Sequence, residues 1–126
     1  MKVVFSERCL EYYEPWHPES PDRVREAHSF LKGEGYVFIE PTPASYEDLL
    51  RAHTAEYIER IRKGNFWDSD SPPYENIYEY ARLSAGGAIL AAKVNGFSLM
   101  RPPGHHAGRS GRALGGSSLG FCYFNN

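Results

Sequence analysis

Cysteine is scarce in this sequence, long apolar runs are missing, and neither sign of charge is in large excess. The two cysteines, Cys9 and Cys122, have no metal-ligand spacing and are too few for a disulfide framework. No apolar stretch reaches membrane-spanning length, and the residues after Met1 are too short an apolar run for a secretion signal. The formal net charge of −2 gives no general attraction to nucleic acid or to an anionic membrane. These absences predict a cytoplasmic protein without a nucleic-acid or membrane partner.

What remains is the composition of a folded domain. Hydrophobic residues make up 41% and charged residues 24% of the chain, which is typical of globular rather than disordered proteins. A complete domain of 126 residues would bury roughly two-thirds of its unfolded surface, so the chain is one domain or part of one. The sequence contains no internal repeat and no low-complexity tract.

Short apolar runs alternate with amphipathic stretches along the chain. Strands are predicted at 3–5, 36–39 and 97–100, and helices at 21–32, from Ser45 onward, at 54–63 and at 74–94. This order predicts an α/β fold, in which helices flank a parallel sheet through right-handed crossovers. Ligands of such sheets bind beyond the carboxyl ends of the strands.

Three features of the helices carry local structural predictions. Ser45 and Asp48 have the spacing of a capping box at a helix start. Gly86 and Gly87 lie in the middle of the longest helix, where each costs about 1 kcal/mol relative to alanine, so we expect something to pack very closely there. His28 lies on or near the apolar face of its helix and is interpreted as a packed structural histidine.

Two adjacent histidines follow the third strand, in Arg101-Pro102-Pro103-Gly104-His105-His106-Ala107. The prolines cannot donate to a sheet, so the strand ends there, and Gly104 lets the backbone turn or a ligand come close. Adjacent histidines in an extended segment point in different directions, which is poor geometry for gripping one metal ion. The same geometry suits separate roles, one imidazole as a proton carrier and the other as a nearby charge. A pair that is merely solvated in a loop is the alternative.

This segment, followed by Gly120-Phe121-Cys122-Tyr123-Phe124-Asn125-Asn126, resembles the signature of the histone deacetylase superfamily. His17-Pro18-Glu19-Ser20-Pro21-Asp22-Arg23 resembles the first active-site loop of that family, and Tyr80 to Ala88 resembles its helix before the central strand. The family consists of zinc-dependent amidohydrolases with acetylpolyamine and acetoin-utilisation relatives. The resemblance implies an arginase/deacetylase-like parallel sheet flanked by helices. It also implies hydrolysis of N-acetyl amides, of the acetyl-lysine or acetylpolyamine type, by zinc-activated water.

The resemblance assigns the chemistry to the histidine pair and its surroundings. His106 is implied to be the general base and acid, and His105 to hydrogen-bond the attacking water and stabilise the developing oxyanion. Gly120 is implied to accept a substrate amide hydrogen bond with its carbonyl, and Phe121 to form a wall of a narrow substrate channel. Gly104, where a ligand can come close, is placed with the substrate-binding residues.

Two further site residues come from the same resemblance. Asp70 occupies the place of a rim aspartate that grips the backbone amides of the substrate. Asp68 is close enough in sequence to take that place instead, and a solvated loop acid is the alternative. Arg23 stands where the family has an arginine that lines an internal channel, and its alternative is a surface arginine in a first helical turn.

Two features depart from the family pattern. The spacer between Ala107 and Gly120 has twelve residues, longer than is usual in the family, with four glycines and three serines that predict a flexible channel mouth. The metal ligands and the transition-state tyrosine of the family lie beyond Asn126. We therefore expect residues 1–126 to form a single partial deacetylase-like domain that binds no zinc by itself and is inactive in isolation.

A partial parallel sheet leaves apolar surface and at least one open edge. That surface predicts an oligomer, formed either by self-association or by pairing with a separate carboxy-terminal chain. A non-catalytic interaction module, which binds a partner through the open sheet edge, is the alternative function.

Overall fold

A three-stranded parallel sheet carries four α-helices in the computed structural model, which describes residues 1–126. The elements in chain order are β1 (Lys2–Val4), a 3-10 helix (Glu7–Leu10), α1 (Asp22–Gly33), β2 (Val37–Ile39), α2 (Tyr46–Ala52), α3 (Ala55–Lys63), α4 (Ile77–Val94) and β3 (Phe97–Ser98). The strand order is β2-β1-β3, and both pairings are parallel. The predicted α/β class is confirmed. None of the helices is both long enough and apolar enough to span a membrane.

The central strand β1 is the most buried part of the sheet. Val3 is paired with Phe38 on one side and with Phe97 on the other, and it is 1% exposed. Val4 is fully buried in an apolar cluster that also contains Val24 of α1. Cover on both faces explains why the adjacent residues Val3 and Val4 are both apolar, whereas Lys2 at the start of the strand is exposed.

Two of the three strands are shorter than the sequence predicts, and the first, predicted over 3–5, lies one residue earlier at Lys2–Val4. The prediction of a strand over 97–100 is wrong beyond Ser98, although Leu99 still donates its N–H to the carbonyl of Val4 at 2.9 Å. Met100 then enters the core, and the prolines that follow cannot extend the ladder. The 3-10 helix after β1 was not predicted; it begins where the Ser6 hydroxyl accepts a hydrogen bond from the backbone N–H of Arg8 at 3.4 Å.

The helix starts follow the predicted capping chemistry in two of the four helices. Ser45 and Asp48 exchange hydrogen bonds at 3.1 Å in both directions, so the capping box is confirmed. The hydroxyl of Thr54 accepts from the N–H of Tyr57 at 3.2 Å and begins α3. The predicted start of α4 at residue 74 is wrong, because Asn76 has φ +61° and interrupts the helical backbone.

The two glycines of α4 permit close packing on both sides of the helix. A Cβ on Gly86 would lie 1.8 Å from the carbonyl oxygen of Thr42, and one on Gly87 would lie 2.7 Å from Met100 Cγ. The predicted close approach is therefore confirmed, and it brings the loop after β2 and the exit of β3 onto the same helix. His28 stacks on the Phe5 ring with centroids 3.9 Å apart, as expected for a packed structural histidine.

A second core cluster positions the end of the chain. Tyr123 and Phe124 are each 1% exposed and pack with Tyr57 and Ile58 of α3 and with Ile77 of α4. The residues after the histidine pair therefore lie against the helices, although they form no helix or strand themselves.

Candidate active site

The two histidines lie at the centre of a turn beyond the carboxyl end of β3. The N–H of Ala107 donates to the carbonyl of Gly104 at 3.2 Å, which closes the turn around His105 and His106. Both side chains are exposed, and their ring centroids are 4.1 Å apart with an interplanar angle of 50°. The prediction that the two rings point apart in an extended segment is wrong, because the turn brings them side by side.

The last residues of the chain lie under this turn. A Cβ on Gly104 would be 2.0 Å from the carbonyl oxygen of Phe124 and 2.7 Å from the side chain of Asn126. Only glycine allows this approach, so the space predicted at Gly104 is filled by the chain itself. A substrate contact of Gly104 stays a prediction.

Two buried side chains tie the turn to its surroundings. The hydroxyl of Ser84 in α4 donates to the carbonyl of Pro102 at 2.7 Å and accepts from the Asn126 amide at 2.9 Å. Cys122 is fully buried, and its sulfur accepts the N–H of His106 at 3.4 Å. Burial raises the pKa of the Cys122 thiol, which fits a small packed residue rather than a nucleophile.

A buried ion pair joins the first loop to the histidine segment, and sequence reasoning missed it. Glu19 is 3% exposed and accepts from Arg101 at 2.7 and 2.8 Å. The Tyr12 hydroxyl donates to the same carboxylate at 3.1 and 3.2 Å, and burial raises the pKa of this phenol. The only signal in the sequence is an acid inside a proline-rich loop and an arginine directly before two prolines.

The electrostatics of the turn favour a neutral His105. Burial lowers the pKa of His105 below its usual value, and the neighbouring charges of His106 and Arg101 lower it further. The two imidazoles, with centroids 4.1 Å apart, are close enough for both to contact one reacting group.

His17 connects the first loop to the acidic loop and to Phe121. Its Nδ1 accepts the N–H of Glu19 at 3.1 Å, so Nε2 carries the hydrogen and donates to the carbonyl of Asp70 at 2.6 Å. The Phe121 ring meets the His17 ring edge-on, with centroids 5.2 Å apart. His17 was not among the predicted site residues, although it opens the loop motif that carries the resemblance.

The two candidate rim acids have different environments. Asp68 accepts three backbone N–H groups, from Asp70 at 3.1 Å, Ser71 at 2.9 Å and Leu119 at 3.0 Å. Asp70 accepts the hydroxyl of Ser118 on one oxygen, and its other oxygen makes no hydrogen bond. The geometry gives Asp68 a structural role and leaves Asp70 with free capacity to bind a ligand.

Gly120 and Phe121 lie next to the histidine turn in a strained backbone. Gly120 has φ +61°, and a Cβ there would be 3.8 Å from His106 Cδ2. Phe121 has φ +69°, which non-glycine residues rarely adopt, and its ring is 36% exposed. The structure thus brings together His106, Gly120, Phe121 and, through His17, Asp70.

Arg23 is the predicted site residue that the structure leaves apart. Its side chain is exposed in the first turn of α1 and forms no hydrogen bond or ion pair. The channel role of Arg23 stays a prediction.

The long spacer is closed on itself at its base. Ala107 and Ala113 form an antiparallel bridge, and the N–H of Ala113 donates to the carbonyl of Ser118 at 2.9 Å. The intervening tip carries Leu114, which is 98% exposed. These contacts hold the two ends of the spacer together beside the histidine turn, and its tip extends into solvent.

The donors present do not fit a zinc ion. No three or more His, Cys, Asp or Glu side chains of residues 1–126 are grouped so that they could hold a metal. His17 and His53 use both ring nitrogens in hydrogen bonds to the protein. A catalytic zinc needs about three protein ligands with one position open, and this chain does not supply such a set.

Comparison with known proteins finds the same family along most of the chain. Residues 17–126 match the family model of the histone deacetylase domain. A probable deacetylase of Archaeoglobus fulgidus is 37% identical, covering 98% of this chain and 38% of the relative. A histone deacetylase-like amidohydrolase of Pseudomonas aeruginosa is 40% identical, covering 87% of this chain and 32% of the relative.

A solved structure agrees over the whole chain. The crystal structure of the HDA15 HD domain superposes with a TM-score of 0.81 at 33% identity, covering 100% of this chain and 41% of that one. The chain thus spans between 32% and 41% of the length of these three proteins.

Proposed function

This chain belongs to the histone deacetylase family, and from that premise we propose that it contributes the two proton-transferring histidines to a site that hydrolyses N-acetyl amides. The substrates are of the acetyl-lysine or acetylpolyamine type. The observation that carries the proposal is the pair of exposed imidazoles, 4.1 Å apart, on a turn held beside Gly120 and Phe121. This is the edge of a parallel α/β sheet where ligands bind.

The reaction requires two proton transfers, one from the attacking water and one to the leaving amine. Water adds to the amide carbonyl and loses a proton, and the C–N bond breaks when the amine nitrogen gains one. His106 accepts the first proton and donates it to the leaving amine, while His105 hydrogen-bonds the attacking water. The lowered pKa of His105 supports its part in this division, because it favours the uncharged imidazole that can hydrogen-bond the water.

The residues around the histidines would hold the substrate. The Gly120 carbonyl accepts an amide hydrogen bond, and the Phe121 ring, braced edge-on by His17, forms a channel wall. Asp70 binds backbone amides through its free carboxylate oxygen, an assignment supported by the full engagement of Asp68 with three N–H groups. Arg23 lines an internal channel, and Gly104 approaches the substrate with its backbone.

We extend the proposal to the state of the isolated chain. Zinc belongs to the complete family site, and its ligands would have to come from residues other than these, because residues 1–126 present no ligand set. Residues 1–126 are then a single partial domain that neither holds zinc nor turns over substrate alone. A cytoplasmic location stays a prediction.

The open sheet edges support a partner. β2 and β3 are the edge strands, and Val37 and Phe97 on them are 61% and 50% exposed. Self-association or a complementary carboxy-terminal chain would cover this surface. The same observation favours the second candidate function, a non-catalytic module that binds a partner through the edge.

Metal content and hydrolysis test the proposal together. The 126-residue chain is assayed for zinc and for cleavage of an acetyl-lysine reporter, alone and mixed with the carboxy-terminal part of a relative. We expect activity only in the mixture, abolished by His106→Ala and retained by His28→Gln, a control histidine packed on Phe5. Stoichiometric zinc and turnover by the isolated chain would contradict the inactive state, and an active His106→Ala mixture would refute the role of His106.

A further inference from the structure

A groove lined by two arginines lies beside the proposed substrate rim. It is bounded by the second half of α3, by residues 65–68 and by residues 112–119, and has a volume of about 280 Å³. Its lining includes Tyr57, Arg60, Trp67, Asp68, Arg112 and Leu119. We call this surface the arginine groove.

The positive charge of the arginine groove is not neutralised within the chain. Four other helix arginines are paired with acids, such as Arg62 with Glu59 at 2.7 Å, whereas Arg23 of α1 is unpaired and far from this groove in sequence. Arg60 and Arg112 are exposed and form no ion pair, and the Arg60 guanidinium lies 5.6 Å from the centre of the Tyr57 ring. The surface therefore offers two guanidinium groups to an anionic ligand.

The one carboxylate in the lining, that of Asp68, offsets part of the positive charge but is not paired with either arginine. Asp68 accepts three backbone N–H groups and forms no ion pair with a cation of the chain. The remaining feature of the wall is Trp67, whose ring is 85% exposed and gives an extended ligand an apolar surface. Two free cations beside an exposed aromatic ring are complementary to an acidic peptide.

The arginine groove and the proposed substrate rim share the segments 68–70 and 118–119. Asp68 binds the N–H of Leu119 at 3.0 Å, and the hydroxyl of the neighbouring Ser118 binds the carboxylate of Asp70. A peptide held at Asp70 therefore lies next to the groove. Resting on the proposed function, we propose that the arginine groove binds acidic residues flanking an acyl-lysine, so that the substrates are acidic peptides and not acetylpolyamines. A polyamine keeps protonated amines at neutral pH, which the two arginines would repel.

Binding of labelled peptides to the 126-residue chain tests this assignment by fluorescence anisotropy. The probes are an acetyl-lysine peptide with glutamate flanks, the same peptide with lysine flanks, the acidic peptide without the acetyl group, and acetylspermidine as a competitor. We expect the acidic peptides to bind more tightly than the lysine-flanked one and binding to weaken at high salt. Acetylspermidine should compete poorly.

Charge variants locate the contact. Arg60→Gln and Arg112→Gln should each weaken acidic-peptide binding by about threefold to tenfold. Arg112→Glu, a second change at an exposed position, should weaken it further. Arg109→Gln removes a charge from the same loop but outside the groove lining and should leave binding unchanged.

The outcomes separate the groove from the proposed function. Arginine-dependent binding of the acidic peptide supports the groove whether or not the acetyl group contributes, whereas an inactive mixture with the carboxy-terminal chain counts against the deacylase site alone. Acetyl-dependent binding that ignores flanking charge and the arginine variants overturns the groove and leaves the deacylase proposal intact. An oligothymidylate that binds through the same arginines as tightly as the acidic peptide would also overturn the peptide assignment.

Discussion

The sheet and the segment 101–126 are ordered by different kinds of interaction. β1 is held by backbone ladders on both sides and by an apolar core, so any apolar residue of suitable size would serve there. The segment 101–126 has almost no ladder, and buried side chains of the helices hold its backbone. The Tyr57 hydroxyl donates to the Tyr123 carbonyl at 2.6 Å, and His53 Nε2 accepts the N–H of Asn125 at 2.8 Å.

The comparison shows how a segment without helix or strand can hold the side chains of a site in place. Each hydrogen bond from a buried side chain fixes the position of one backbone atom. Breaking such a bond is costly because it leaves a buried polar group without a partner. Together these bonds set the positions of the histidine turn and of Phe121 without a strand or helix. The segment is therefore expected to be sensitive to single polar atoms, whereas the sheet is sensitive to volume.

The largest expected effect comes from breaking the buried ion pair that fastens the segment to the first loop. Glu19→Ala leaves Arg101 without a partner in a site where its side chain is 18% exposed. Such a loss costs about 3–5 kcal/mol of the free energy of unfolding. Urea denaturation measures the cost, and Glu59→Ala, which removes an exposed partner of Arg62, should leave the midpoint almost unchanged. Equal midpoints for the two variants would contradict the buried character of the Glu19 pair.

The next effect is steric and tests the packing under the turn. Gly104→Ala places a methyl group 2.0 Å from the Phe124 carbonyl, which forces the end of the chain to move. Overpacking of this kind costs about 1–3 kcal/mol. Gly33→Ala, at the end of α1 with no atom within 4 Å, is the control and should be neutral or slightly stabilising in urea denaturation. A neutral Gly104→Ala variant would show that the end of the chain does not lie under the histidines.

A single hydroxyl gives a smaller effect. Tyr57→Phe removes the donor to the Tyr123 carbonyl while keeping the ring in the core. The expected loss is about 1–1.5 kcal/mol, concentrated in faster amide hydrogen exchange over residues 120–126. Tyr46→Phe removes an exposed hydroxyl without a partner and should change neither measurement. Uniform acceleration of exchange over the whole chain would argue against a local role.

The smallest expected effect is a decrease in folding stability at acidic pH that comes from His53. Burial lowers the pKa of His53 in the folded chain below the usual value of 6.5, so the unfolded chain binds its proton first on acidification. Stability from this group is complete above about pH 7 and falls as the pH decreases below 6.5. Urea midpoints between pH 7.5 and 5 should decline less steeply in His53→Gln than in the parent chain. His105→Gln, which removes an exposed imidazole, should flatten the slope less, and an unchanged slope in His53→Gln would refute the assignment.

The sequence predicts the parts of the fold that depend on near neighbours. Ser45 and Thr54 begin helices because their caps are completed three residues later, and Gly86 and Gly87 indicate close packing because glycine is costly in a helix. The site could not be predicted in this way, because its residues meet over long separations in the sequence. Glu19 and Arg101 pair across 82 positions, a contact with no local signal. The turn at the histidines depends likewise on Phe124 lying beneath Gly104, and so the expected extended geometry was wrong.

The closed base of the spacer makes its tip a suitable place for a label or an insertion. Ala113 and Ser118 are hydrogen-bonded to each other, and Asp68 accepts the N–H of Leu119, so residues 114–117 project as an exposed tip that is joined to this base by the bond from Gly116 to Ala113. A fluorophore, an affinity tag or a short insertion placed at this tip would report on ligands arriving nearby while the imidazoles keep their positions.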